Sequence, residues 1–289
     1  AASCDVAHPN YKPVYMITSL AVTQNGSRRM AQTEVTQLSL PSLPAALTLT
    51  GTPTYGAPNS NPFRVEGDDH PNALCGNVTG PSLHAIGVTS AAADTSVSTA
   101  IPSGRRDNYT GLGGEEPNVE NIASSLGALG TTSGLVELTN SIKSMATASY
   151  TGNQSGIPIG SPSVPQVTFV DGNLTLSGTQ NGAGILFVTG TLSTSGNFSF
   201  KGIILVVGDG VWNSNGGGGG RVDGGVFIAN IYSSTTHNSG TLLSTPSGGA
   251  VSLDWDGGGG NGIYYDSCWV KKAGGNMKYT TLSMRELPY

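Results

Sequence analysis

QVTFVDGNLTLSG (residues 166–178), AGILFVTGTLSTSGNFSFK (183–201), GIILVVGDGVWNSNGGGGGRVD (202–223) and GGVFIAN (224–230) are variations on one theme. Each time a short run of Val, Ile, Leu and Phe is followed by Gly, Asp, Asn, Ser or Thr. The runs at 167–170, 185–188, 203–207 and 226–228 have strand composition and are too short for helices. Ile185 and Ile203 are 18 residues apart, and Ile203 and Val226 are 23 apart. That is an imperfect repeat of about one solenoid coil. Strands that are apolar on successive residues are usually buried on both faces or stacked. The reading is a mainly β protein whose body, residues 166–289, is a parallel β-solenoid (β-helix). Each coil would cover the hydrophobic face of its neighbour, and right-handed coils are expected.

Composition agrees with a turn-rich β protein. The chain has 289 residues, of which 43 are Gly, and only 11% are charged, against a usual quarter. Net charge is −5, and the basic residues cluster only as Arg28–Arg29, Arg105–Arg106 and Lys271–Lys272, so nucleic-acid binding is not expected. No apolar run reaches the roughly 18–20 residues needed to span a bilayer.

Upstream, the chain reads as two further regions, 1–50 and 51–165. In 1–50, the segment 11–22 (YKPVYMITSLAV) has strand composition, and Asn25-Gly26 is a strong hairpin signal. Segment 28–38 (RRMAQTEVTQL) makes the return strand of an antiparallel β-hairpin turning at 24–27, and 45–50 (AALTLT) alternates as a further strand. Region 51–165 is rich in loops, with short strands at 63–65 and 84–88. It also carries one or two short flanking helices. Segment 117–126 begins with Pro and spaces Val119, Ile122 and Leu126 at helical intervals. Segment 133–150 places Leu135, Leu138, Ile142 and Met145 on one stripe, with Ser133 as N-cap. Residues 151–165 (TGNQSGIPIGSPSVP) read as a linker. Residues 251–270 read as one more coil and 278–287 as a last strand.

The three cysteines, Cys4, Cys75 and Cys268, lack metal-ligand spacing. Cys75 and Cys268 share loop-like settings, NALCGN and YDSCWV, and we pair them as a disulfide. Cys4 is then free or joined to another chain as an inter-chain thiol. The competing arrangement bridges Cys4 to Cys75 and buries Cys268. The start, Ala-Ala-Ser-Cys without Met, reads as a processing site after a removed leader.

Few residues point to chemistry. Asp171, Asp209 and Asp223 lie in the repeats, where β-helix polysaccharide lyases and hydrolases place clustered carboxylates. Each sits beside Gly, which is turn chemistry. Lys201 and Arg221 are the only basic residues of the coils, so a lyase site is thin. Asp254 and Asp256 flank Trp255, and the trio reads either as a sugar-stacking site or as a buried Trp with solvated neighbours. Glu66, Asp68 and Asp69, next to His70, form the densest ligand-like cluster; they read as a solvated loop or a Ca²⁺ site. No other cofactor is suggested. The four His are scattered, and the Gly runs lack the Lys of a phosphate loop. Sequons occur at Asn25, Asn77, Asn108, Asn153, Asn173 and Asn197. Asn77, Asn108, Asn173 and Asn197 are kept as glycosylation candidates.

YMITSLAVTQNGSRRMAQTEV resembles the start of the exported portion of PilX-like type IV pilus proteins, in which a strand turns through Asn-Gly into a basic pair and a second strand. PAALTLTG, APNSNPFRVEGDD, GILFVTGTLSTSGNFSFKGIILVVGDG and GGGGNGIYYDSCWV are similar to the long ectodomain of large pilin-like proteins of this type. The resemblance implies an exported, non-catalytic structural subunit of an extracellular cell-surface filament. Its partners would be copies of itself, and surface glycans as adhesion ligands. Such proteins begin with a hydrophobic helix, which is absent here. The resemblance therefore implies that the helix was removed or belongs to a short hydrophobic pilin chain, which would offer Cys4 a partner. The alternatives are a secreted carbohydrate-binding or polysaccharide-degrading β-helix protein, or a surface adhesin without a filament.

Overall fold

The computed structural model describes residues 14–37, 40, 42–216, 218–234, 240–256, 261–275 and 279–287. In chain order the first strands are β1 (Val14–Val22), β2 (Arg28–Gln37), β3 (Ala45–Leu49), β4 (Thr52–Gly56), β5 (Arg64–Glu66), β6 (His84–Val88), β7 (Tyr109–Thr110), β8 (Val119–Asn121), β9 (Ala148–Thr151) and β10 (Gln154–Ser155). They continue with β11 (Gln166–Asp171), β12 (Leu174–Leu176), β13 (Gln180–Val188), β14 (Leu192–Ser195), β15 (Phe198–Gly208), β16 (Val211–Asn215), β17 (Arg221–Asn230), β18 (Ala250–Trp255), β19 (Gly262–Tyr265) and β20 (Tyr279–Leu287). The helices are α1 (Ala91–Ala100), α2 (Thr132–Met145) and α3 (Ser267–Gly275). The protein is mainly β.

The chain divides into two compact units, Ala1–Pro41 with Met277–Tyr289, and Ser42–Asn276. These limits differ from the sequence boundaries at 50 and 165. In the first unit β1 and β2 form the expected antiparallel hairpin, which closes at Thr23–Ser27 with Gly26 at φ 83°. β20 adds antiparallel to the other edge of β2, in the order β1-β2-β20. All nine residues of β1 are exposed. Tyr15 and Ile17 lie on one face and Met16, Leu20 and Val22 on the other.

In the second unit every described pairing between strands is parallel. From β9 to β19 the chain alternates between an 11-stranded sheet and a 6-stranded sheet, each strand pairing with the one two places earlier. Residues 42–121 extend the same two sheets. β3, β4 and β5 pair with β17, β18 and β19, and β6, β7 and β8 follow outside them. The long sheet carries the continuous apolar runs seen in the sequence; the short one alternates, as in LTL of β12 with its outer residues buried and Thr175 exposed.

Gly184, Gly202 and Gly224 stand side by side in register on β13, β15 and β17, at φ 113°, 128° and 144°. A Cβ at any of them would overlap the backbone of the neighbouring strand. Backbone contact this close and a positive φ both demand glycine. The register also corrects the repeat. Ile185 pairs with Ile203 as expected, but Ile203 faces Gly225 and it is Ile204 that faces Val226.

The core lies between the two sheets. Trp212 and Trp255 pack with ring centroids 5.1 Å apart, and Phe63 lies 5.3 Å from Trp255. Trp212 donates its indole N–H to Thr194 Oγ1 at 3.1 Å. Trp255 is 4% exposed, so of the two readings of Asp254–Trp255–Asp256 the buried one holds, with both carboxylates outside.

The helices differ from expectation. Segment 117–126 is not a helix. Asn118 accepts from the Ala85 amide at 2.7 Å and donates to the Leu112 carbonyl at 2.8 Å. This pins the chain extended, so that β8 joins β6, with Ile122 and Leu126 buried beyond it. α2 forms where the stripe placed it, burying Leu135, Leu138, Ile142 and Met145, but its N-cap is Thr131, whose Oγ1 accepts from Gly134 N at 3.0 Å, and it ends at Met145. The region read as a linker contributes β10 and buries Ile157 and Ile159. α3 occupies the end of what read as a further coil, with Asp266 accepting from the Trp269 amide at 3.0 Å. No helix among the described residues is long and apolar enough to cross a membrane.

Candidate functional site

On the outer face of the long sheet, parallel register lines up Lys201, Asp223, Tyr264 and Glu66 across β15, β17, β19 and β5. Two residues upstream the next row holds Arg221, Gly262 and Arg64. Gly262 has no side chain, and the edge of the Tyr264 ring lies against the space one would fill.

Charges pair closely in this array. Asp223, whose side chain is 8% exposed, takes Lys201 Nζ at 2.8 Å and the Arg221 guanidinium. Arg221 also lies over the Tyr264 ring, 4.3 Å from its centroid. Glu66 takes His70 Nε2 at 2.8 Å and stands 3.7 Å from Arg64, which donates to Asn108 Oδ1 at 3.0 Å. Trp269 of α3 lies beneath Lys201 and Lys272, 5.4 and 5.3 Å from their Nζ atoms.

The hydrogen bond between them pulls the Glu66 carboxyl below its usual 4.5 and lifts His70 above its usual 6.5; burial opposes both. Burial, then the Glu66 charge, raises the Tyr264 phenol. Chemically the array is an ionic and aromatic lattice. Lys201 and Arg221 are the basic residues on which a lyase reading would depend, and both are held by Asp223. Tyr264 is a weaker acid than usual. A small anion would have to compete with Asp223 and Glu66 for Lys201, Arg221 and Arg64.

The loop from 67 to 82 is stitched to α3. Cys75 and Cys268, 193 residues apart in sequence, form a disulfide, as their settings suggested. Asn72 donates to Asp266 at 2.8 Å. Asp69 accepts from the Ser267 amide and hydroxyl, both at 2.7 Å, and from the Gly80 amide. Asp68 accepts from Ser82 Oγ at 2.8 Å. Glu66, Asp68 and Asp69 thus turn to three different sets of partners inside the protein. No group of three or more His, Cys, Asp or Glu placed to hold a metal ion occurs among the described residues. Cys4 lies outside the described residues.

The glycosylation candidates divide. Asn77 and Asn197 are exposed, and Asn173 is half-buried with its Oδ1 accepting from Thr191 N at 2.8 Å. Asn108 is 1% exposed and donates to the Ser60 and Asn61 carbonyls, so the folded chain offers no acceptor nitrogen there. The sequence reading named Glu66 and His70 only as loop ligands and did not connect them to Arg64, Arg221 or Tyr264. The i, i+4 spacing of Glu66 and His70 and the i, i+2 spacing of Arg64 and Glu66 are the local signals; their meeting with Arg221 and Tyr264 depends on register between strands more than 150 residues apart. Set against known proteins, the chain matches no family profile, no curated protein and no solved structure.

Proposed function

We propose that this chain is an exported structural subunit of an extracellular filament of the type IV pilus kind. In this reading Ser42–Asn276 is the displayed body and the three-stranded sheet is the assembly element. β1 carries the proposal. Its nine residues, VYMITSLAV, hold no charge, are all exposed and form an edge of their sheet. Val14, Met16, Ile17 and Val22 are each more than half exposed. A long, uncharged apolar edge is an aggregation hazard that proteins normally cover or charge. An assembled subunit covers it with its neighbour, here another copy or a short hydrophobic pilin chain. The resemblance of this same segment to the exported start of PilX-like proteins supports the reading.

The body is read as a parallel β-solenoid. The alternation of consecutive strands between two parallel sheets, and the in-register glycine column, support this. Export is supported by the Cys75–Cys268 disulfide, since such bonds persist in oxidising compartments. The arrangement calls on no catalytic residue. The test is electron microscopy of filaments sheared from producing cells, with non-reducing mass spectrometry of their protein. Filaments containing this chain, with Cys4 linked to or packed beside a short hydrophobic chain, are expected. Finding it only as a soluble monomer, with no associated pilin chain, would overturn the proposal.

A further inference from the structure

The outer face of the short sheet carries an open groove of about 350 Å³. Register builds its floor. Thr175, Ser193, Asn213 and Asp254 form one row across β12, β14, β16 and β18, and Ser195 and Asn215 are a second pair two residues on. Rows on neighbouring strands are about 4.8 Å apart. None of these six side chains hydrogen-bonds to another described residue, and Asp254 forms no ion pair. Between the two rows Thr194 turns into the core, where its hydroxyl accepts the buried Trp212 indole N–H and fixes the strand under the groove. At the end of the row stands Gly56, and the Asp254 carboxylate leans over the space a side chain there would fill.

We propose that this groove binds an uncharged oligosaccharide. Hydroxyls and carboxamides both donate and accept, as sugar hydroxyls do, and Asp254 adds one acceptor able to take two sugar hydroxyls. The side chains are short and ride on paired strands, so little rotamer freedom is lost on binding. The lining has no cation, which disfavours an acidic glycan beside Asp254. It has no exposed aromatic ring, and Trp212 and Trp255 face the core, so affinity comes from polar contacts alone and is modest. The site does not depend on the filament reading, because it lies wholly within Ser42–Asn276.

The test uses the full disulfide-bonded chain and four probes: maltohexaose, cellohexaose, chitohexaose and, as the acidic comparison, hexagalacturonate. Titration calorimetry should find at least one uncharged hexasaccharide binding with Kd of about 0.1–1 mM. Asn213→Ala and Asp254→Ala should each weaken it about tenfold or more, and Gly56→Ala, which displaces the carboxylate, should weaken it similarly. Asn213→Ala and Asp254→Ala should melt as the parent does, since these groups hold nothing else in place. Failure of all three uncharged probes to bind at about 10 mM, preference for hexagalacturonate, or binding unchanged in Asn213→Ala and Asp254→Ala would each overturn the proposal.

Discussion

His70 Nε2 stands 2.8 Å from Glu66 Oε2, against the edge of the Tyr264 ring. The pair titrates in opposite senses. His70 has its folded pKa raised above 6.5, so its contribution is complete below pH 6.5 and is lost as pH rises through the folded value. Glu66 has its folded pKa lowered below 4.5, so its contribution is present above pH 4.5 and is lost as pH falls through the folded value. His70→Gln should therefore lower stability most between pH 4.5 and 6.5, by no more than about 1 kcal/mol in a partly exposed pair. The difference should fade at alkaline pH. Thermal unfolding across a pH series checks it.

Asp209 behaves differently. It is 1% exposed, its Oδ1 has no hydrogen-bond partner among the described residues, and burial lifts its carboxyl from 3.8 to about 6. The folded state holds the proton more tightly than the unfolded chain does. The penalty is thus full above about pH 6 and is relieved as pH falls from there toward 3.8. Asp209→Asn should stabilise the protein at neutral pH by about 1–2 kcal/mol and flatten this part of the stability profile. Denaturant midpoints at several pH values between these limits and neutrality measure it.

Gly202 sits in the middle of the glycine column, at φ 128°, with no room for a Cβ between it and Gly184. Gly202→Ala should cost roughly 3 kcal/mol or more, from strain and from separation of β13 and β15. Ser199→Ala, on the outer face of the same strand, should cost less than about 1 kcal/mol. Urea unfolding of the two variants separates local crowding from a general effect of substitution in β15.

The Cys75–Cys268 bond closes a long loop. Its reduction, or Cys268→Ser, should lower stability by about 3–5 kcal/mol and release the stretch from 67 to 82 from α3. Limited proteolysis with and without reductant should show cleavage in 67–82 appearing only in the reduced protein.

Ile17→Lys tests the assembly reading. The site is exposed, so the isolated chain should unfold within about 0.5 kcal/mol of the parent. A charge in the middle of β1 should nevertheless exclude the chain from filaments. Normal incorporation of Ile17→Lys would remove β1 from the proposed interface.

What could be read from the sequence followed from local patterning. The β1–β2 hairpin was legible because Asn25-Gly26 sits between two strand-like runs. The long-sheet strands were legible because burial on both faces leaves a continuous apolar run such as ILFV at 185–188. β6 at 84–88 emerged for the same reason. α1 was missed because AAADTSVSTA is made of small residues with no apolar stripe, and only the Ser90 hydroxyl, accepting from the Ala93 amide at 3.1 Å, marks its start. α3 was missed because its first residues, SCWV, were taken with the strand-like GIYY before them, although Asp266 accepts from the Trp269 amide there. The error at 117–126 arose because Val119, Ile122 and Leu126 are buried at helical spacing by a strand followed by single tight turns. The ionic array and the polar groove were invisible for one reason. Their members come together by strand register, and a one-residue error in register, such as matching Ile203 rather than Ile204 to Val226, changes which side chains meet.

The disulfide also settles how the protein carries tension. A pull entering at Ser42 and leaving at Asn276 reaches Cys75, crosses the sulfur bridge and continues from Cys268. The 193-residue span between the cysteines is bypassed. Roughly 650 Å of contour length is thereby withheld from stretching. Only the flanking pieces, 42–75 and 268–276, are in the load path. In the proposed filament, a string of such subunits under drag would yield first at its joints and in these flanking pieces, while the bypassed span, the glycine column included, stayed folded.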